Sequence, residues 1–185
     1  MSNQLESIKN HPTVRICHSD EIWVRKGLRV NQMKKHQKHG GWIFQYCLPR
    51  CVISPSSALV HYSVFEEFGD FDEKLPVCED YELWLRITSA LPVLYIPEAL
   101  ITKFGGHPDQ LSHSRWGMDR YRIYSLEKLL AAEVLRPSQE KLALEEILLK
   151  LSICLGGAHR RDRNMAVQKY EKKTAFYENR LQSYS

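Results

Sequence analysis

The sequence predicts an α/β domain followed by an α-helical C-terminal segment. Up to about residue 104, apolar residues come in short, strand-length runs that Gly and Pro separate. From Ser114 onward they recur three or four residues apart, which is the spacing of helices that bury one face. We therefore expect a lead-in segment over residues 1–12, an α/β unit over 13–113 and a helical extension over 114–185.

The composition is that of a globular protein. The chain has 185 residues, of which 43% are hydrophobic and 26% charged, enough for one domain with a core. A net charge of +4 is mild, and only residues 34–38 and 160–163 form basic clusters. Because interleaved aromatics and a larger basic surface are missing, we expect no nucleic-acid partner.

The cysteines and the N-terminus bear on location. Five cysteines without a repeating spacing indicate a reducing compartment. The first seven residues, Met-Ser-Asn-Gln-Leu-Glu-Ser, lack a basic-then-apolar signal pattern, and no apolar run approaches the ~20 residues of a membrane span. We expect a cytoplasmic protein without a transmembrane segment, and leave peripheral attachment to a membrane open.

The first elements are predicted from short patterns. Val14 and Ile16 mark a strand, and a hairpin with a Lys26-Gly27 turn follows it. The basic run 32–41 predicts a solvated loop or a short helix that ends at Gly40. A further apolar run leads into a helical segment that ends at Gly69, where a left-handed residue can close the last turn.

After a turn over residues 70–76 the pattern is helical again, so Glu79 and Asp80 fall in the first turn of a helix. Residues 92–96 and 99–104 predict two strands with a Pro97-Glu98 turn between them. Three helices complete the prediction, over residues 118–133, from Pro137 to Gly156-Gly157, and over about 162–181.

The acidic pair Glu79-Asp80 has two interpretations. Carboxylates near a helix N-terminus offset the macrodipole and accept bonds from free N–H groups, which is worth ~0.3–1 kcal/mol. A carboxylate at the mouth of a cleft can also take a proton from an incoming hydroxyl as a general base. The pair alone does not separate the two.

Four ordered motifs surround the pair: Ser-Pro-Ser-Ser at 54–57, Phe-Glu-Glu-Phe-Gly-Asp-Phe-Asp-Glu at 65–73, Glu-Asp-Tyr-Glu-Leu-Trp-Leu-Arg at 79–86 and Gly-Gly-His-Pro-Asp-Gln-Leu-Ser at 105–112. Over about residues 14–125 the chain thus resembles the acceptor-side half of family 2 glycosyltransferases, which have the Rossmann-like GT-A fold. The resemblance implies inverting transfer of a sugar from a nucleotide-sugar donor to a carbohydrate or other hydroxyl acceptor, with Mn²⁺ or Mg²⁺ as cofactor once the donor half is present.

The resemblance also implies residue roles. Asp80 would be the general base, and Glu79 would fix the helix start and contact the acceptor or a loop. His107 would complete the metal shell or touch the diphosphate. Three residues on the same loop would contact acceptor or phosphate: Asp109, Gln110 and Ser112. Trp84 is assigned either to acceptor contact or to the core.

The family places its nucleotide-binding strands and an Asp-x-Asp metal motif ahead of this half. Asp70-Phe71-Asp72 matches the motif literally, but it follows a helix, and we expect Phe71 to be buried. Asp20 is expected to form a cap or turn. We therefore expect a separate donor-half polypeptide or a homo-oligomer as partner. The alternative is a non-catalytic, truncated or split module that binds carbohydrate or a partner subunit.

Overall fold

In the computed structural model, which describes residues 2–106 and 117–184, a four-stranded mixed sheet is organised around one long strand, β1 (Ile16–Arg25). Along one side β1 pairs antiparallel with β2 (Leu28–Val30) and β3 (Ala58–Val60). Along the other it pairs parallel with β4 (Leu94–Gly105). The predicted mixed α/β architecture is confirmed at this level.

The predicted first strand and the first arm of the hairpin are one continuous strand, because β1 runs for ten residues without a break. The hairpin turn itself is confirmed. Lys26 has φ 50° and Gly27 has φ 78°, and two left-handed residues are what a tight type I′ turn requires.

The turn predicted at Pro97-Glu98 is wrong, because β4 passes through both residues. Its register against β1 slips there: Ser19 faces Ile96, whereas Asp20 faces Ala99. The extra residues form a bulge, which suits a proline that has no N–H to give to the neighbouring strand.

Helices precede and follow the short strands. The lead-in segment contains α1 (Ser2–Lys9), and α2 (Phe44–Cys47) is a single turn. Helix α3 (Tyr62–Phe68) ends at Gly69 with φ 78°, as predicted. Helix α4 (Glu79–Ala90) begins at the acidic pair, also as predicted.

The C-terminal part is helical as expected, with α5 (Met118–Ala131), α6 (Pro137–His159) and α7 (Asn164–Gln182). One buried cluster runs from Ile16 of the sheet through Leu83 of α4 to Leu126 of α5 and Leu144 of α6. The helical extension therefore shares its core with the α/β part. Within the two described ranges no helix has the length and hydropathy to span a bilayer.

Candidate functional site

The first turn of α4 is set by the residues in front of it. Leu75 and Val77 are buried, and Cys78 takes a left-handed conformation with φ 65° that turns the chain into the helix. The acidic residues Glu79 and Asp80 then stand beside the free N–H groups of the helix start, where negative charge is favoured.

The Asp80 carboxylate is held by two elements. Its Oδ1 accepts a hydrogen bond from the backbone N–H of Tyr81 at 2.7 Å, within its own helix. Its Oδ2 lies 3.0 Å from the thiol of Cys51, which comes from the loop before β3. Asp80 is half-buried, and so is Glu79, for which the described residues offer no side-chain partner.

The loop that carries Cys51 is fixed through its backbone carbonyls. The hydroxyl of Tyr81 donates to the carbonyl of Leu48 at 2.6 Å, and the ammonium of Lys150, on α6, donates to that of Pro49 at 3.1 Å. Lys38 donates to the carbonyl of Val52 at 2.8 Å. We call residues 48–53 the clamped loop, because α4, α6 and the basic segment all bind it.

Burial, and then the neighbouring Asp80 carboxylate, raise the pKa of the Cys51 thiol well above its ordinary value. The sulfur therefore carries its proton, which lies within reach of either Asp80 or the carbonyl of Ile53, each 3.0 Å away. Cys51 acts here as a hydrogen-bond donor that orients a carboxylate, and Asp80 keeps acceptor capacity for an incoming hydroxyl.

Other acidic residues near α4 hold helices together. The Glu82 side chain is only 1% exposed; it accepts from Arg86 at 2.8 Å and from Lys128, on α5, at 2.9 Å. Lys128 also binds Asp72 at 2.7 Å. Arg86 is therefore the ion-pair partner of Glu82 on its own helix, and Asp72 is paired with α5.

Several predicted residues are placed differently. Trp84 is 2% exposed within the core, which favours its core interpretation over acceptor contact. Phe71 is 40% exposed, so the expectation that it is buried is wrong. Asp20 lies in β1 at the bulge, and its Oδ1 accepts from the backbone N–H of Glu21 at 2.8 Å. Four predicted residues lie outside the described residues: His107, Asp109, Gln110 and Ser112.

A second buried ionic group was not predicted. Glu21, 4% exposed, accepts from the indole of Trp23 at 2.8 Å and lies 3.3 Å from the ammonium of Lys38. Burial raises the pKa of Glu21, but Lys38 and its other partners outweigh that effect and leave it below the ordinary value. Lys38 is 8% exposed, so the prediction of a solvated loop fails at this residue.

Comparison with known proteins gives one partial similarity. The chain is 35% identical over 63 residues to a protein of Rickettsia felis (strain ATCC VR-1525 / URRWXCal2) described as "Uncharacterized glycosyltransferase". The match covers 34% of this chain and 10% of that relative, so the chain spans about a tenth of its length. No protein-family model matches the chain. The similarity supports a relation to glycosyltransferases in general, and it does not extend to family 2 or to the GT-A fold.

Proposed function

We propose that this chain supplies the acceptor side of an inverting family 2 glycosyltransferase with Asp80 as its general base. Asp80 takes the proton of the acceptor hydroxyl while the hydroxyl oxygen forms a bond to the anomeric carbon of the donor sugar. The bond from that carbon to the nucleotide diphosphate breaks in the same step. Glu79 is proposed to contact the acceptor beside it. The similarity to the Rickettsia felis protein described as a glycosyltransferase and the resemblance of the motifs support the reaction class.

The observation that carries the proposal is the second attachment of Asp80. A carboxylate that only stabilised the start of a helix would need only the helix amides. Asp80 is also oriented by Cys51, from a loop that is itself fixed by Tyr81, Lys150 and Lys38. Positioning of this kind is what general base catalysis requires, since a misplaced base loses much of its effect.

The donor site is proposed to lie outside the described residues. Among the residues that the structure describes, no three His, Cys, Asp or Glu side chains come together in a way that could hold a metal ion. They therefore do not fit a Mn²⁺ or Mg²⁺ site of their own. A donor-binding half, on a separate polypeptide or elsewhere in a longer protein, would bind the nucleotide sugar.

The test is Asp80→Asn, which keeps the shape of the side chain and removes its basicity. Sugar transfer from a panel of nucleotide sugars, measured with a donor-binding polypeptide and Mn²⁺ or Mg²⁺, should fall by roughly 10²–10⁴-fold, the contribution of a positioned base. The thermal unfolding midpoint should fall by no more than about 4 °C, the effect of losing one charge at a helix start. Asp70→Asn, in an exposed turn, is the matched control and should leave transfer as it is.

Two outcomes would contradict the proposal. Transfer that is equal in Asp80→Asn and the unmodified protein would favour the non-catalytic module instead. Tight metal-dependent binding of a nucleotide sugar by this chain alone would place a donor site within it, and the search for its ligands would begin at Asp20, Asp70 and Asp72.

A further inference from the structure

A second concave site lies among the C-terminal helices. It is a cleft of about 760 Å³ between α5, α6 and α7, to which Lys74 and Leu75 of the turn before α4 also contribute. Seven of its lining side chains are Lys or Arg, and one, Asp119, is a carboxylate. The cleft is therefore strongly basic in a chain whose net charge is only +4.

Two carboxylates at or near the cleft have described partners. Asp119 accepts from Arg122 at 2.9 Å and lies 3.7 Å from Lys150, neither of which lines the cleft. Glu127 pairs with Lys173 at 2.5 Å. Lys173 is thus paired with a carboxylate outside the lining, and Asp119, the lining carboxylate, is shared by two cations outside the lining.

Four of the seven lining cations lie at or soon after the connection from α6 to α7. Arg160, Arg161 and Arg163 come from this short connection, and Lys169 follows on the next turns of α7. Across the described ranges, no carboxylate lies within ion-pair distance of Arg160 or Lys169, and both side chains are exposed. The N-terminus of the 19-residue α7 adds the positive end of its dipole to the same end of the helix pair.

The rest of the lining is aromatic and apolar. Tyr121, Tyr124 and Tyr170 contribute rings, and Ile153 stays 52% exposed beside them. The guanidinium of Arg120 stacks over the ring of Tyr121 at 4.8 Å. A site with several cations at one end and rings elsewhere suits a ligand that has an anionic group and an apolar or ring-shaped part.

We propose that this cleft binds a phosphate ester, with the phosphate at Arg160 and Lys169 and the organic part against the tyrosines. A phosphate carries up to two negative charges and several acceptor oxygens, which matches a guanidinium and an ammonium group better than a single carboxylate does. The phosphate comes from a soluble molecule or from a lipid headgroup. This site is separate from the proposed base Asp80, and the inference does not depend on the glycosyltransferase proposal.

The test is binding to two kinds of phosphate. Titration calorimetry with inorganic pyrophosphate and with octyl phosphate examines the soluble source, with octyl glucoside as the uncharged control. Co-sedimentation with phosphatidylglycerol vesicles, against phosphatidylcholine vesicles, examines the lipid source. We expect binding to a phosphate probe that weakens as salt increases, because the contacts are charged and exposed.

The variant is the double substitution Arg160→Gln with Lys169→Gln, and the matched control is Lys172→Gln, an exposed lysine of the same helix that does not line the cleft. The double variant should bind at least about tenfold more weakly, since each charged hydrogen bond is worth that much. Circular dichroism and the unfolding midpoint establish that both variants fold.

If the double variant loses octyl phosphate binding and Lys172→Gln does not, the result supports the proposal with a soluble ligand. If the double variant loses binding to phosphatidylglycerol vesicles but not to octyl phosphate, the result supports the proposal with a lipid headgroup. The proposal is overturned if neither probe binds at millimolar concentration, or if Lys172→Gln weakens binding as much as the double substitution does. Neither of these two outcomes would change the result of the Asp80→Asn transfer assay. The phosphate proposal and the glycosyltransferase proposal can therefore fail independently.

Discussion

The cations around the clamped loop and the cations around the helical cleft are placed in opposite ways. Lys38 and Lys150 are 8% and 3% exposed, and their ammonium groups end on backbone carbonyls and on carboxylates. Arg160 and Lys169 stand in solvent at the rim of an open cleft. The same residue types thus hold a loop in one region and leave charge available in the other, so burial decides what a basic residue does.

The largest loss of stability should come from replacing one of the buried cations. Lys38→Met keeps the apolar stem but leaves Glu21 without its nearest cation and the carbonyl of Val52 without its donor. Breaking a buried pair by removing one partner costs about 3–5 kcal/mol, so the free energy of unfolding in urea should fall by that much. Lys34→Met, at an exposed position of the same segment, is the control and should change it little. If Lys38→Met and Lys34→Met lowered the free energy of unfolding equally, the ion pair of Lys38 with Glu21 would not stabilise the fold.

His18 gives a pH-dependent effect of similar size. It is fully buried, its Nε2–H donates to the carbonyl of His39 at 2.8 Å, and burial lowers its pKa to about 4 from 6.5. Above pH 6.5 the imidazole is neutral in both states. As the pH falls from 6.5 towards 4, His18 becomes protonated in the unfolded chain while it stays neutral in the native state. The free energy of unfolding therefore falls by ~3 kcal/mol across this window.

The measurement is urea unfolding at several pH values between 7.5 and 4.5. His18→Gln keeps an amide donor and cannot titrate, so its stability should depend less steeply on pH than that of the unmodified protein. Parallel curves for the two proteins would contradict the assignment.

A smaller effect is expected at the loop contact of α4. Tyr81→Phe removes the hydroxyl that donates to the carbonyl of Leu48 and leaves that buried acceptor unpaired, which costs about 1–3 kcal/mol. Tyr62→Phe, at a ring that is 67% exposed, should stay within about 0.5 kcal/mol. Transfer activity should fall with Tyr81→Phe beyond what its stability loss explains, if the clamped loop positions Asp80.

The smallest effect on stability should be that of Lys169→Gln. Its ammonium has no carboxylate partner in the described ranges, so the free energy of unfolding should change by no more than about 0.5 kcal/mol. Thermal and urea unfolding both measure it. A loss as large as that of Lys38→Met would show that the exposed cations of the cleft are structural, and the contrast between the two regions would disappear.

Local patterns predicted much of the fold. The helix start at Glu79, the helix end at Gly69 and the Lys26-Gly27 turn were found because each depends on a few adjacent residues. The local pattern at Pro97 predicts a turn, which is wrong because the position of Pro97 within β4 depends on pairing with β1. That strand is far away in the sequence, so no local pattern indicates the pairing.

The candidate site was predicted less completely for the same reason. The first turn of α4 pointed to Asp80, whereas Cys51 is 29 residues away and nothing in its neighbourhood indicates a partner carboxylate. Lys38 looked like one more member of a solvated basic run, and only its tertiary contacts with Glu21 and Val52 reveal its role. The cleft likewise depends on three helices coming together.

The cysteines give the two regions chemical reporters of their own. Burial raises the thiol pKa of Cys47 to about 12 and that of Cys78 to about 11, and it raises those of Cys51 and Cys154 as well. Since the thiolate is the reactive form, alkylation of these thiols in the native chain should be slow. Cys51 touches Asp80 and Cys154 lines the cleft, so a compound that slows the labelling of only one of them would reveal which site it occupies.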